Sequence, residues 1–179
     1  MVMHVPAEAH GDERGALLAF LDEARGGIRR TVLGLTGEQA SSRPSASELS
    51  LAGLVKHVAE VEQSWVARAK GKDPAVTRDE SNWHECFVLV GEETVASQLA
   101  HWDQVKAETE EFIRSAPDMN ETFALPEAPW FPKERVSLRW LLLRLISEVD
   151  RHAGHADIIR ESLDGKTAFE LIDETESGS

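Results

Sequence analysis

The sequence predicts an all-α protein, an antiparallel four-helix bundle with a long connection before its last helix. Four segments carry apolar residues at alternating spacings of three and four, the period of an amphipathic helix. Strand signals with a period of two are nearly absent, and a proline-rich segment separates the third helix from the fourth. The 179 residues are enough for one domain with a proper core, and we assign that domain to residues 12–165.

The first helix is predicted over residues 12–35. Gly26 and Gly27 lie inside it, where glycine weakens a helix, so they indicate a kink or a close contact with another helix. Thr36 and Gln39 have the spacing of a capping box for one short turn. The apolar positions of the first helix are Leu17, Leu21, Ala24, Ile28, Val32 and Leu35.

The second helix begins after Ser50, a favourable N-cap, and continues to about Ala69. A polar stretch follows it, and the third helix is predicted over 93–115. The connection over 116–136 contains four prolines and cannot be helical throughout. Its apolar Phe123, Trp130 and Phe131 are expected to pack over the bundle.

The fourth helix is predicted from its N-cap Ser137 to about Asp164, with Gly165 as the stop signal. Residues 166–179 are acidic and poor in hydrophobic side chains, so they are expected to form a flexible tail.

Composition excludes several classes of function. A formal net charge of −13 provides no basic patch for nucleic acid or for an acidic membrane surface. No apolar run approaches the roughly 20 residues of a transmembrane helix, and the N-terminus does not resemble a signal peptide. The single cysteine, Cys86, fits a reducing compartment, so we expect a cytoplasmic protein.

A polar stripe on the fourth helix is the main functional signal. Glu148, His152 and His155 continue a series of apolar positions at intervals of three and four, so all should face inward. Burying these groups without partners would cost several kcal/mol. Glu148 and His152 lie one helical turn apart and could reach one metal ion, which His155 could join or support. The whole series is Leu138, Leu141, Leu145, Glu148, His152, His155 and Ile159.

The second helix offers a further ligand. His57 lies between Leu54 and Val61 on the apolar face of that helix. A single inward histidine is more often a satisfied core residue than a ligand, but two such signals on separate helices favour a divalent metal site. Two histidines and one carboxylate suit zinc, nickel or another first-row ion and leave a coordination position open. His84 could approach from a loop, whereas His4, His10 and His101 lie at the terminus or on a polar face.

Two stretches, "SLAGLVKHVAEVEQSW" and "SLRWLLLRLISEVDRHAGHADIIRESLDG", resemble the DinB-like superfamily, in particular the branch related to the N-terminal domain of mycothiol-dependent maleylpyruvate isomerase. The resemblance covers residues 12–165. It implies a four-helix bundle that holds zinc or nickel by one ligand from helix two, His57, and two from helix four, Glu148 and His152. His155 matches a position just past this triad.

The sequence departs from that branch at Arg144, Ser147 and Asp150, where histidine, glutamate and a small residue are usual. Arg144 precedes Glu148 by one turn and could pair with it in competition with a metal. Either Arg144 or Arg151 could receive an anionic substrate, although pairing with a neighbouring acid is the more common role.

The resemblance implies a metal-dependent S-transferase or isomerase that joins a low-molecular-weight thiol, such as mycothiol or bacillithiol, to an electrophilic acceptor. The loops at 71–92 and 116–136 would then supply the acceptor contacts. One alternative is a metal-binding or stress-response protein without turnover. Another is a metal-free bundle whose polar stripe meets a partner in a homodimer, with contact area from Trp65, Trp102 and Trp140, although core packing is the default for each.

Overall fold

The computed structural model describes residues 12–177 and confirms the all-α prediction. Helices α1, α3, α4 and α5 form the bundle, α2 is a single short turn, and a 3-10 helix lies between α3 and α4. The bounds are α1 Glu13–Thr31, α2 Gly37–Ser41, α3 Leu51–Ala69, a 3-10 helix Trp83–Phe87, α4 Val95–Ser115, β1 Thr122–Ala124, β2 Arg135–Ser137, α5 Leu138–Asp164 and α6 Ala168–Ser177.

The predicted helix boundaries rest on side-chain caps that the structure contains. Ser50 accepts a hydrogen bond from the backbone N–H of Gly53 at the start of α3, and Ser137 caps α5 in the same way. Thr36 and Gln39 form the predicted capping box. Gly165 ends α5 with a positive φ of 81°, a conformation that glycine adopts at little cost.

The bundle combines parallel and antiparallel helix pairs. Helices α3 and α5 run antiparallel, because Trp65 near the end of α3 meets Trp140 near the start of α5. Helices α1 and α5 run parallel, since Glu13 pairs with Arg139 at their starts and Gly27 meets Ala153 further along both.

Helices α3 and α4 also run parallel. Lys56 near the start of α3 pairs with Glu93 just before α4, and Lys70 at the end of α3 lies over Phe112 near the end of α4. The predicted antiparallel arrangement therefore holds only for some pairs. A parallel pair of consecutive helices needs a connection that spans the bundle, and residues 70–94 supply it.

The close approach of α1 and α5 explains one of the two glycines in α1. A Cβ on Gly27 would lie 3.0 Å from the Cβ of Ala153, whereas a Cβ on Gly26 would meet only the flexible side chain of Arg30. The predicted helix contact is therefore confirmed at Gly27. Apolar stripes of the four long helices fill the interior. Within residues 12–177, no helix has the length and hydropathy that crossing a bilayer requires.

The connection over 116–137 contains a short hairpin that the sequence analysis did not predict. Strands β1 and β2 pair antiparallel with Phe123 opposite Val136, and Phe123 is buried. Phe123 and Phe131 both contact the indole of Trp65, so the predicted packing of this connection over the bundle is confirmed for these two residues. The prediction is wrong for Trp130, whose side chain is mostly exposed.

The expectation of a flexible tail from residue 166 differs from the structure. Residues 168–177 form α6, which packs against α1 and buries Leu171 and Ile172. Its start carries a T-x-x-E pattern, in which Glu170 accepts hydrogen bonds from the backbone N–H and the hydroxyl of Thr167. Two apolar side chains and one cap order a segment whose composition is otherwise typical of a solvated tail.

Candidate metal centre

Three of the predicted ligands meet between α3 and α5. Nε2 of His57 lies 3.4 Å from Oε1 of Glu148, and Nε2 of His152 lies 3.3 Å from the same oxygen. One ligand atom from each residue falls within 4.8 Å of the others. Both histidines are buried, and Glu148 is mostly buried.

Helix geometry explains this convergence. Glu148 and His152 are four residues apart on α5, so both side chains leave the same face. Because α3 runs antiparallel to α5, its inward face brings His57 opposite that pair, with its ring centroid 4.8 Å from that of His152. The spacing of the inward-facing positions along α5 is therefore sufficient to place the side chains of Glu148 and His152 against α3.

The two oxygens of Glu148 have different partners. Oε1 faces both imidazoles, whereas Oε2 accepts a hydrogen bond from Nη1 of Arg144 at 2.6 Å. Hydrogen bonds from His152 and His57, together with the Arg144 guanidinium, hold the pKa of Glu148 well below its ordinary value. Glu148 is thus ionised at neutral pH, and Arg144 pairs with the oxygen that faces away from the histidines.

The orientation of the His57 imidazole is set by its contact with Phe87. It stacks on the phenyl ring of Phe87 at 4.2 Å between centroids, with 22° between the planes. Nδ1 of His57 is buried and has no hydrogen-bond partner within residues 12–177. Stacking therefore replaces the usual hydrogen bond to the second ring nitrogen in holding the orientation of this ring.

The spacing of the three ligand atoms suits a small divalent ion. The two histidine–carboxylate hydrogen bonds, at 3.3 and 3.4 Å, are longer than the usual N–H···O span of about 2.7 to 3.2 Å. Ligand atoms at the Zn–N distance of about 2.0–2.1 Å on a tetrahedron lie about 3.3 to 3.4 Å apart. Two edges of the triad match that value and all three ligand atoms lie within 4.8 Å of one another, so the residues present could hold the metal that the sequence predicts.

His155 does not face inward as the period of α5 predicts, although it contacts His152, as the supporting role would require. The structure exposes it to solvent and leaves it outside the three-residue cluster. Its Nδ1 lies 3.4 Å from Nδ1 of His152, so one ring can donate a hydrogen bond to the other. Gly154 beside it is exposed, and a Cβ there would meet nothing within 4 Å, which means that this side of α5 is uncovered.

The other histidines do not join the triad. His84 is exposed on the 3-10 helix, and His101 is half-buried on α4. His4 and His10 lie outside the described residues.

A cluster of ion pairs holds the 3-10 helix against α3. Arg78 donates hydrogen bonds to both oxygens of Glu60 on α3 and to Glu85 on the 3-10 helix. Lys56 of α3 donates to the backbone carbonyl of Val88 at 3.1 Å and to Glu93. These contacts fix Phe87 against His57 from both sides of the 3-10 helix, and the sequence pattern contained no signal for them.

Gly53 allows this close approach. A Cβ on Gly53 would lie 1.9 Å from the carbonyl oxygen of Phe87 and 2.6 Å from its carbonyl carbon. Only glycine permits the backbone of the 3-10 helix to contact α3 at this point.

A cavity of about 660 Å³ opens beside the triad. His57, Glu148 and Arg144 line one part of it, and the loops at 71–92 and 116–136 contribute much of the remaining wall. The side chains from those loops include Val76, Arg78, Trp83, Cys86, Pro126, Trp130 and Phe131.

A buried ion pair on the opposite side of α3 was also missed by the sequence analysis. Glu62 is 0% exposed and accepts hydrogen bonds from Arg25 of α1 and from Trp102 and Thr109 of α4. Trp102 is thus a core residue, and Trp65 is buried as well. The apolar period does not reveal such a pair, because an isolated Glu between apolar positions is also typical of a solvated face.

Comparison with known proteins identifies the family of the chain and a solved structure with a similar fold. The family model described as mycothiol-S-transferase matches residues 16–165. The chain is similar to a solved structure, the crystal structure of a conserved protein from Enterococcus faecalis, with a TM-score of 0.68 and 18% sequence identity. That similarity covers 87% of this chain and 99% of the other, and at this identity it concerns the fold alone. No curated protein matches the chain significantly in sequence.

Proposed function

Since the chain belongs to the mycothiol-S-transferase family within the DinB-like proteins, we propose that it is a metal-dependent enzyme that transfers a low-molecular-weight thiol to an electrophilic acceptor. The observation that carries the proposal is the convergence of His57, Glu148 and His152 at ligand spacing, with His57 and Glu148 on the wall of a large cavity. Three protein ligands on a divalent ion leave a position for substrate, as in catalytic rather than structural sites.

Zinc or nickel suits two imidazoles and one carboxylate. When bound, such an ion would supply Lewis acidity that lowers the pKa of a thiol and favours its thiolate form at neutral pH. The chain's own cysteine is a poor source of that thiolate, because burial raises the pKa of Cys86 above its ordinary value of 9.0. The reacting sulfur is therefore assigned to the added thiol.

The residues of the chain prepare the site. Hydrogen bonds from His152 and His57, with a smaller contribution from Arg144, keep Glu148 ionised, and Arg144 binds Oε2 so that Oε1 faces the histidines. Phe87 covers one face of the His57 ring and excludes water from it. In a transfer, the thiol loses its proton, its sulfur bonds to an electrophilic carbon, and the leaving group departs with the bonding electrons. Addition to a double bond followed by elimination would give an isomerase instead.

The first test is elemental analysis of the purified protein. We expect close to one divalent ion per chain, and we expect the His57→Ala variant to contain almost none. His84→Ala is the matched control, because His84 is exposed and outside the cluster. A wild-type chain that binds no zinc or nickel at micromolar concentrations would overturn the proposal and favour the metal-free homodimer.

The second test measures thiol transfer directly. The metal-loaded protein is mixed with mycothiol, bacillithiol or glutathione and monochlorobimane, and the fluorescent thioether is followed over time. We expect at least one thiol to react faster with wild type than with His57→Ala. If the ion is bound but no thiol reacts above the uncatalysed rate with any of a panel of electrophiles, a metal-binding protein without turnover replaces the enzyme.

A further inference from the structure

One face of α3 runs along the cavity away from the metal centre. His57, Val61, Ser64 and Arg68 all line the cavity, at successive intervals of four, three and four residues. Arg68 lies eleven positions after His57, which is about 16 Å along a helix that rises about 1.5 Å per residue. The cavity therefore extends well beyond the reach of a ligand bound to the metal alone.

Arg68 is a half-buried cation at the far end of this face. Its guanidinium has no hydrogen bond or ion pair with any side chain in residues 12–177. The other two arginines that line the cavity differ, because Arg78 is paired with Glu60 and Glu85 and Arg144 with Glu148.

Carboxylates near the cavity do not neutralise Arg68. Glu60 and Glu148 are already held by other arginines, and Glu127 is exposed and beyond ion-pair distance of Arg68 in the described chain. In a chain of net charge −13, an unpaired and partly desolvated guanidinium is a specific attractor for an anion.

Aromatic side chains are exposed in the same cavity. Trp83 is 57% exposed and Trp130 is 74% exposed, although both are large apolar residues that packing normally covers. Trp83 belongs to the 3-10 helix and Trp130 to the connection between β1 and β2, so two separate segments each contribute one indole.

We propose that the cavity beyond the metal centre binds an acceptor with an anionic group and an apolar, planar body. Arg68 holds the anionic group, and Trp83 and Trp130 contact the planar body. The assignment of this ligand as the acceptor rests on the proposed function, whereas its chemistry follows from the cavity itself. The electrophilic carbon then lies towards His57 and Glu148, and the anionic group lies at the opposite end.

Binding of a matched pair of probes tests this proposal without any reaction. 2-Naphthoate and 2-naphthamide have nearly the same shape and differ in charge, and equilibrium dialysis gives the Kd of each for metal-free and metal-loaded protein. We expect wild type to bind the naphthoate at least about tenfold more tightly than the amide, a difference of about 1.4 kcal/mol. Arg68→Gln should abolish that preference and leave the Kd of the amide unchanged.

Two further variants locate each part of the ligand. Trp130→Ala should weaken the binding of both probes, and Arg114→Gln should change neither, because Arg114 is an exposed arginine outside the cavity. Equal binding of the two probes to wild type would overturn the proposal, and so would a preference that survives Arg68→Gln, whether or not it disappears in Arg144→Gln. Failure of the metal or thiol tests would leave these binding results intact, so the two proposals fail separately.

Discussion

The imidazole of His57 and the phenyl ring of Phe87 are stacked, 4.2 Å apart, although one belongs to α3 and the other to a 3-10 helix thirty residues later. Through this contact, the connection between α3 and α4 determines the position of His57, a proposed metal ligand. The contact in turn depends on Gly53, whose missing side chain admits the backbone of Phe87.

Replacement of Gly53 by alanine should therefore impair metal binding without touching a ligand. The new Cβ would lie 1.9 Å from the Phe87 carbonyl oxygen, so the 3-10 helix must move and the His57 ring loses its support. We expect affinity for zinc to fall by about tenfold or more, the scale found when residues around metal ligands are replaced. Competition with a chromophoric chelator measures the zinc affinity of each variant.

Gly154→Ala is the matched control for that substitution. Gly154 is also a helical glycine, but a Cβ there would meet nothing within 4 Å. Alanine at this position should leave zinc affinity unchanged and should stabilise α5 by up to about 1 kcal/mol. Equal zinc affinity in Gly53→Ala and wild type would show that the Phe87 contact does not position His57.

His155 and His152 should behave differently when each is replaced by alanine. We expect His155→Ala to retain one ion per chain with affinity lowered by about tenfold, because only a ring contact to Nδ1 of His152 is lost. His152→Ala should lose the ion. Isothermal titration with zinc gives both the stoichiometry and the affinity. Loss of the ion in His155→Ala would make His155 a ligand.

Replacement of the buried Glu62 should strongly reduce the stability of the fold. Replacing it by alanine leaves the charge of Arg25 buried without its main partner, and we expect the free energy of unfolding to fall by about 3–5 kcal/mol. Urea denaturation measures the change. The double variant Arg25→Met/Glu62→Leu should recover much of the loss, because no unpaired charge remains.

Arg43 and Glu48 form the control pair for Glu62. They lie 2.6 Å apart, but Glu48 is 91% exposed, so Arg43→Ala should change the free energy of unfolding by at most about 0.5 kcal/mol. If Glu62→Ala lowers the free energy of unfolding by no more than Arg43→Ala does, the buried network does not stabilise the bundle.

Local signals account for what the sequence predicted correctly. Ser50, Ser137 and Gly165 set helix ends through contacts within a few residues, and the period of α5 placed Glu148 and His152 against α3. The directions of the helices depend instead on long connections, and the same period could not show that the side of α5 at His155 is uncovered. Phe87 and Glu62 derive their roles from partners in other elements, and Arg68 derives its role from a cavity that several elements form. A pattern along one helix does not contain this information.

Helix α6 provides the last prediction, because its order depends on a cap that the sequence analysis did not use. Thr167 donates from its backbone N–H and its hydroxyl to Glu170, and these hydrogen bonds hold the pKa of Glu170 below its ordinary value of 4.5. Thr167→Val removes the hydroxyl at nearly constant volume. Hydrogen exchange should then show amide protection factors for residues 171–175 reduced by about fivefold, the equivalent of a lost cap.

The pH dependence of this protection has a definite sign. A carboxyl whose pKa is lowered in the folded state stabilises that state above its unfolded pKa, and the contribution is lost as the pH falls through the folded value. Protection of α6 should therefore be greatest near neutral pH and should decline below about pH 4.5, the ordinary value for Glu170, more in wild type than in Glu170→Gln. Parallel decline in both proteins would mean that the burial of Leu171 and Ile172 against α1, rather than the cap, orders this helix.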